Sequence, residues 1–321
     1  MRLSSPRSSL IRAQRGGFTI IELLVACAIT ALIAGLMLGL VGNVLGSWNR
    51  SQGILMTEIQ ANRALDQLAL DLQGALYRDD GKTWLAASVQ ADSSVSDAWV
   101  AGRKPVAPSL DPAAASLVNA RFGVAGVWLR FFTTRQGADA RTSDPPAPIA
   151  VGYQIIRRAP APEGQQYHYL FYRGEATPSA TFAAGYDLRA ASYTVGSSID
   201  GAPGTVVSPD ISRVLAENVI DFGVRLYVFA PNSTTGGPEL TCIFPLNATD
   251  SEYRAASLST SGNLSGRFPA VADVMLRVLT EEGVRQIAAL EDSRITGDWW
   301  TIANANSKVF TRRILLNGSP L

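Results

Sequence analysis

The 321-residue chain has few of the side chains on which most enzyme and metal sites depend. It contains two cysteines, Cys27 and Cys242, and a single histidine, His168, so a zinc site would need mainly carboxylate ligands. The sequence has no P-loop, no dinucleotide fingerprint and no G-x-S-x-G motif. We therefore predict a protein that is not an enzyme, with no catalytic residues, no bound metal and no cofactor.

Charge is also scarce, at 17% of residues, and it is unevenly distributed. Residues 1–17 carry four arginines and no acidic residue, which leaves 24 basic against 27 acidic side chains in the rest of the chain. A chain without a basic surplus is a poor partner for nucleic acid. With 47% hydrophobic residues, however, the chain can bury a sizeable core.

The longest apolar run, from Phe18 to Leu45, contains only one charged residue, Glu22. As a helix this run would be about 42 Å long, whereas the hydrocarbon core of a bilayer is about 30 Å thick. The run therefore predicts a single membrane-spanning helix. The preceding arginines predict that the N-terminus stays in the cytoplasm and that the chain after Trp48 lies on the far side.

Three kinds of processing compete at this run. A secretory signal peptide would have a shorter apolar core and a small-residue cleavage site, and no such site follows. A lipoprotein signal is suggested by the letters LVAC, ending at Cys27, but the apolar core before that cysteine would be short and would contain Glu22. The third kind explains the carboxylate.

The stretch GGFTIIELLVA, residues 16–26, resembles the type III signal of type IV pilins and type II secretion pseudopilins. The resemblance implies that prepilin peptidase cuts between Gly17 and Phe18 and that Phe18 is then N-methylated. It also implies that Glu22, the fifth mature residue, neutralises the N-terminus of an adjacent subunit. An ionisable group in apolar surroundings costs several kcal/mol unless it is paired. The alternative is an ordinary anchor whose Glu22 reaches the membrane surface.

Four glycines recur along the same predicted helix at spacings of four, three and four: Gly35, Gly39, Gly42 and Gly46. This spacing places them on one face, and small residues let membrane helices approach each other closely. We interpret the face as a helix-packing surface. A merely flexible anchor is the alternative.

The pattern after the apolar run is amphipathic, and no proline interrupts the chain between Phe18 and Leu76. One continuous helix is predicted, and its apolar stripe consists of Ala61, Leu65, Leu68, Leu72 and Ala75. The stretch ANRALDQLALDLQGA resembles the end of this helix in J-type minor pseudopilins and PilW-like minor pilins. We expect the stripe to be available to the domains of partner subunits.

Strand-like segments rich in β-branched and aromatic residues follow an irregular connection with short elements from about Gly81 to Ala120. The predicted strands are 124–134, 149–159, 167–173, 219–230, 270–280 and 308–316, and one helix is predicted over 281–294 with Thr280 as its cap. The fold class is therefore α+β and pilin-like, with a long N-terminal helix packed on an antiparallel β-sheet domain. The predicted organisation is a cleaved leader (1–17), a membrane half of the helix (18–47), an amphipathic half (48–78) and a β-rich domain (79–321).

Few other residues suggest a site. Trp299 and Trp300, in the polar stretch GDWWTIANANS, are either anchors for a partner or parts of the core. His168 fits an ordinary strand position. Asp250 and Glu252 are acidic, but NATDSE lacks the spacing of a calcium loop.

Two classes of function remain open. In the first, the chain is a non-enzymatic minor pilin or pseudopilin that initiates or caps a filament as part of a tip complex. Its partners would be prepilin peptidase, other minor pilins, the inner-membrane assembly platform and, before assembly, the bilayer. The order of the later segments resembles the J-type layout. In the second class, the same anchor displays an adhesin or a DNA-uptake domain. A single-pass enzyme is a third and weaker alternative, because no site supports it.

Overall fold

The computed structural model describes residues 19–91, 110–134, 147–159, 167–232, 236–256, 264–316 and 319–320. The chain separates into two compact units, Met1–Gln52 and Gly53–Leu321. A single helix, α1 (Ile20–Gln73), begins in the first unit and ends in the second. The predicted continuous helix is confirmed, although it ends five residues before the predicted boundary at residue 78.

The second unit is built on antiparallel sheets. The strands are β1 (Leu76–Tyr77), β2 (Leu85–Ala91), β3 (Gly126–Thr134), β4 (Pro148–Arg158), β5 (His168–Glu175), β6 (Val214–Glu217), β7 (Val219–Pro231), β8 (Pro238–Phe244), β9 (Glu252–Ala255), β10 (Val271–Leu279), β11 (Ser307–Leu315) and β12 (Ser319–Pro320). The short helices are α2 (Pro178–Ala184), α3 (Glu281–Glu291) and α4 (Trp299–Ala305), and 3₁₀ turns lie at 117–119, 191–193, 203–206 and 211–213. The α+β prediction is confirmed.

Two sheets carry most of this unit. One has six strands in the order β6-β5-β4-β3-β2-β9, and the other has four in the order β11-β10-β7-β8. All neighbours within these two sheets are antiparallel, and β1 pairs with β12 in parallel. Each of the six predicted strands is present, and α3 begins after Thr280, whose hydroxyl accepts a hydrogen bond from the Gly283 N–H at 3.2 Å.

The segment from Gly81 to Ala120, predicted as an irregular connection with short elements, contains the seven-residue strand β2, which the sequence did not locate. β2 lies between β3 and β9, and Leu85, Ala86 and Ala87 are buried. The run LAASVQA has little β-branched or aromatic character, so intrinsic propensity gave no signal for a strand. Its place between two neighbouring strands supplies the hydrogen bonds that the local sequence does not predict.

The two sheets contact each other where Gly126 of β3 lies against Phe222 of β7. Gly126, the first residue of β3, has a φ of +60°, and a Cβ built on it would lie 2.4 Å from the Phe222 carbonyl oxygen in β7. Only a residue without a side chain fits both this backbone conformation and this close approach. The core that results includes Phe122, Phe131, Phe171 and Phe222, all fully buried.

The second half of α1 lies along β11. Glu58 pairs with Lys308 at 2.7 Å, and Asp66 pairs with Arg312. Eight helical residues advance about 12 Å, and four strand residues advance about 13 Å. The helix and the strand therefore run side by side in the same direction, with their charges in register.

Candidate functional site

The start of α1 is closed by a reciprocal set of hydrogen bonds between Thr19 and Glu22. The Thr19 N–H and hydroxyl donate to Oε2 of Glu22 at 2.9 and 3.0 Å, and the Glu22 N–H donates to the Thr19 hydroxyl oxygen at 3.3 Å. This is a capping box, which satisfies backbone donors that the first turn leaves unpaired. The carboxylate also lies at the positive end of the helix dipole. Gly17 and Phe18 lie outside the described residues.

Within the chain, the Glu22 side chain is thus hydrogen-bonded to Thr19 at the start of its own helix. The resemblance to pilins implies a partner on a neighbouring subunit. Thr19 was not predicted as a partner, although the letters TIIE contain the T-x-x-E signature of a capping box. The two arrangements use the same carboxylate. Both Thr19 donors go to Oε2, so the capping box does not use Oε1 of Glu22.

The membrane half of α1 presents an open apolar surface. Nothing lies within 4 Å of a Cβ built on any of the four glycines Gly35, Gly39, Gly42 and Gly46. The apolar side chains from Ile20 to Trp48 are exposed, and α1 is long and apolar enough to cross a membrane, with a mean hydropathy of 2.6 over its most apolar window. The glycine face is therefore free for contact with another helix, and the segment suits membrane anchoring.

The predicted apolar stripe of the amphipathic half is buried in the chain's own core. Ala61, Leu65, Leu68 and Leu72 are 0–1% exposed. The expectation that this stripe is available to partner domains was therefore wrong, because both faces of the contact belong to one subunit. The apolar side chains that this half of α1 does expose are Leu55, Met56, Ile59 and Leu70, each about half exposed.

A buried ionic cluster fixes the end of α1 to the six-stranded sheet. Oδ2 of Asp71 accepts hydrogen bonds from the Tyr153 hydroxyl and from Nε of Arg173, both at 2.6 Å. Arg173 also pairs with Glu175, which in turn pairs with Arg213 at 3.1 Å. Burial and the neighbouring Asp71 carboxylate raise the pKa of Tyr153 well above its ordinary value. The phenol therefore stays a hydrogen-bond donor at physiological pH.

Asp71 lies outside the apolar stripe of the helix, yet it is buried, at 7% exposed. The Thr133 hydroxyl donates to the Asp71 carbonyl at 2.7 Å, so backbone and side chain are both held. Gly74 follows immediately after α1, and a Cβ there would lie 2.9 Å from Oγ1 of Thr133. The helix ends where it meets β3.

The two tryptophans belong to the core. Trp299 and Trp300 are each 5% exposed, at the start of α4, whose cap is Asp298. The Trp299 ring packs edge-on against Tyr169 at 5.9 Å, and its Nε1 donates to Oε1 of Glu291 at 3.3 Å. A side chain enclosed in this way offers little surface to a partner, so the burial favours the second alternative, packing in the core.

Glu291 binds Trp299 and also two side chains of the six-stranded sheet. It ends α3 and accepts further hydrogen bonds from Nη2 of Arg157 and from the Tyr169 hydroxyl, both at 2.9 Å. Strands β4 and β5 are thereby tied to the α3–α4 pair. Burial and the Glu291 carboxylate raise the pKa of Tyr169 well above its ordinary value, so this phenol also remains a donor.

The other residues considered from the sequence lie apart from one another. His168 is the first residue of β5 and is partly exposed. Oδ2 of Asp250 accepts from the Leu246 N–H at 2.6 Å, and Glu252 pairs with Arg254. The described part of the chain contains no group of three or more His, Cys, Asp or Glu residues placed to hold a metal ion. Cys27 and Cys242 are both free.

Comparison with known proteins gives one family match. Residues 12–38 match the prokaryotic N-terminal methylation motif. No curated protein matches the sequence. Among solved structures, one chain of the GspK-GspI-GspJ complex from the enterotoxigenic Escherichia coli type 2 secretion system is similar at 10% identity, over 82% of this chain and 99% of that one, with a TM-score of 0.29.

The matched residues include the predicted cleavage position, the capping box and the first glycine of the packing face. They lead directly into the helix that enters the β domain. The chain thus carries a prokaryotic N-terminal methylation motif at the start of a long α-helix that leads into an α+β domain.

Proposed function

We propose that this chain is a minor pseudopilin or minor pilin of the J-type group, a structural subunit that initiates or caps a filament. The observation that carries the proposal is the methylation motif at the start of α1, a helix with two contrasting halves. The first half exposes its apolar side chains, and the second is built into a β domain. Such a subunit is stored in the membrane by one half of the helix and carries its domain on the other.

The proposed course begins in the inner membrane, with the arginine-rich leader in the cytoplasm and the β domain in the periplasm. Prepilin peptidase removes residues 1–17, and Phe18 is N-methylated. On assembly, the new terminus of a neighbouring subunit approaches Glu22. The four-glycine face packs against another helix, because glycines permit close contact between backbones. The assembly platform and other minor pilins are the protein partners.

Two features favour a minor role. The mature chain of 304 residues, after loss of the leader, would be larger than a typical major subunit. The exposed apolar residues of the second half of α1 also offer a contact for another helix. Leu55 and Ile59 are one helical turn apart, and they are 56% and 53% exposed. An apolar pair of this kind loses water favourably when another helix covers it.

The test of the role is co-purification of the full-length chain with its co-encoded minor pilins from solubilised membranes. We expect a defined heteromeric complex and no filaments of this chain alone. Ile59→Asp should weaken the complex at least tenfold, because it places a charge in the helix contact. Phe182→Asp is the matched control: Phe182 is 76% exposed on α2, and the substitution introduces a charge outside the proposed helix contact, so it should have no effect. Abundant self-filaments, or a persistent monomer with every co-encoded pilin, would contradict the tip role.

A second prediction concerns Glu22. Glu22→Ala should reduce incorporation into filaments severalfold, because it removes the acceptor proposed for a neighbouring N-terminus. Thr19→Val separates this role from capping, since it removes the hydroxyl of the capping box but keeps the carboxylate. We expect Thr19→Val to assemble nearly normally.

Intact-mass measurement is the control for both variants. Each should lack residues 1–17 and carry one methyl group on Phe18, as in the wild type. Wild-type assembly by Glu22→Ala would show that the carboxylate only serves the chain's own helix or the membrane surface. A mature chain that begins at Met1 or at a lipidated Cys27 would overturn the processing itself.

A further inference from the structure

Residues 110–122, here called the strap, cover one end of the outer face of the four-stranded sheet. Their backbone is held by arginines rather than by a strand pairing with this sheet. Arg225 of β7 donates from Nε and Nη2 to the Pro112 carbonyl at 3.0 and 2.8 Å, and from Nη2 to the Ala114 carbonyl at 2.5 Å. Nη2 of Arg277 in β10 donates to the carbonyls of Val118 and Ala120 at 3.2 and 3.4 Å.

Asp221 is the acidic side chain that binds the strap. It is fully buried in β7, directly opposite Arg277 in the register of β7 and β10, and its Oδ2 accepts from the Phe122 N–H at 3.1 Å. The ring of Phe122 packs on Gly223, where a Cβ would lie 2.4 Å from it. Closing the strap therefore places a carboxyl group in a site without water contact.

The carboxyl group is incompletely paired there. Oδ1 of Asp221 and Nε of Arg277 are both buried without a hydrogen-bond partner among the described residues. The charged side chains that face Asp221 are Arg277 from β10 and Arg121 from the strap, and both favour the ionised form. Burial outweighs the two arginines and the backbone hydrogen bonds of Phe122 and Phe222, all of which lower the pKa, and it raises the pKa of Asp221 to about 7. An ionised, half-paired carboxylate in this position is costly, whereas the protonated acid is not.

We propose that Asp221 makes the strap a pH-responsive latch, which holds the strap firmly in mildly acidic conditions and loosens it as the pH rises to neutrality. Opening the strap exposes Asp221 to water, where its pKa returns towards the ordinary value of 3.8. The closed state thus binds a proton that the open state releases. Proton binding therefore stabilises the closed strap fully below a pH of 3.8, and this stabilisation is lost as the pH rises through about 7.

The test is hydrogen exchange of the full-length chain in detergent, followed on peptides that cover the strap and corrected for intrinsic exchange rates. For the wild type we expect protection of the strap to fall by up to about tenfold per pH unit between about pH 5 and 7 and to level off above that. Asp221→Asn can still accept from the Phe122 N–H and does not titrate, so its profile should be flat. Peptides from β4, in the other sheet, serve as the internal reference.

A second variant keeps the test decisive if Asp221→Asn folds poorly. Arg277→Met removes the cation opposite Asp221 together with its hydrogen bonds to the strap. Protection should therefore be lower at every pH, and the upper limit of the pH range over which it falls should move upward. A wild-type profile as flat as that of β4 would overturn the proposal. So would the same slope in Asp221→Asn, or an unchanged pH range in Arg277→Met.

Discussion

Asp71→Ala is expected to lower the free energy of unfolding of the β domain by about 3–5 kcal/mol, because it breaks a buried ion pair from one side. Arg173 would keep Glu175 but lose the acceptor of its Nε, and the fully buried Tyr153 hydroxyl would lose its partner at 2.6 Å. An unsatisfied buried hydroxyl alone costs about 1–3 kcal/mol. Urea unfolding of the chain from Gly53 onward, which contains every residue of the main core, measures the effect.

The matched control lies five residues earlier on the same helix. Asp66 also pairs with an arginine of the sheet domain, Arg312, but its side chain is 62% exposed. An exposed pair of this kind contributes about 1 kcal/mol at most. Asp66→Ala should therefore shift the unfolding midpoint only slightly. Equal losses in the two variants would show that Asp71 is no more than another surface charge.

The comparison of these two aspartates shows where sequence reasoning about the helix succeeds. The stripe from Ala61 to Ala75 was read correctly as one apolar face, because a period of 3.6 residues is a local property. Asp71 also looks like a surface residue when only the helix is considered. Its burial depends on Tyr153 and Arg173, which are 82 and 102 positions away in the chain. No local pattern predicts a partner at that distance.

The strands also fall into those that a local pattern predicts and one that depends on distant parts of the chain. Those rich in β-branched and aromatic residues, such as β4 and β7, were predicted with ends close to the observed ones. β2 was missed because it consists largely of small residues and depends on its two neighbours. At the N-terminus, the motif itself was predicted and the family match confirms it. The capping bond from Thr19 to Glu22 was not predicted, because an apolar run around a single carboxylate is explained as well by the membrane as by a helix cap.

The pair Trp299 and Trp300 shows why two tryptophans in a polar stretch leave a partner anchor and a core position equally open. Asp298 caps a short helix at this point, accepting from the Thr301 N–H at 2.8 Å, and the helix turns both rings inward. The polar residues that follow, such as Asn304, then occupy the outer side. A cap directly before two tryptophans was the available signal for a helix rather than a loop.

Trp299→Ala is accordingly expected to destabilise the β domain by about 3–5 kcal/mol, the usual cost of deleting a large aromatic side chain from a core. The variant loses the ring contact with Tyr169 and the hydrogen bond to Glu291, and it leaves a cavity beside Trp300. Trp299→Phe, which retains an aromatic ring, should lose much less. Chemical unfolding of the chain from Gly53 onward measures both variants.

Phe182→Ala is the matched control, because it also removes an aromatic ring from a short helix, but from a position that is 76% exposed. We expect it to change stability by less than about 0.5 kcal/mol. The opposite pattern would restore the partner-contact interpretation: Trp299→Ala would unfold at the wild-type midpoint and yet fail to join the heteromeric complex. Loss of stability together with loss of complex in Trp299→Ala, and neither in Phe182→Ala, is the result that burial of the tryptophan requires.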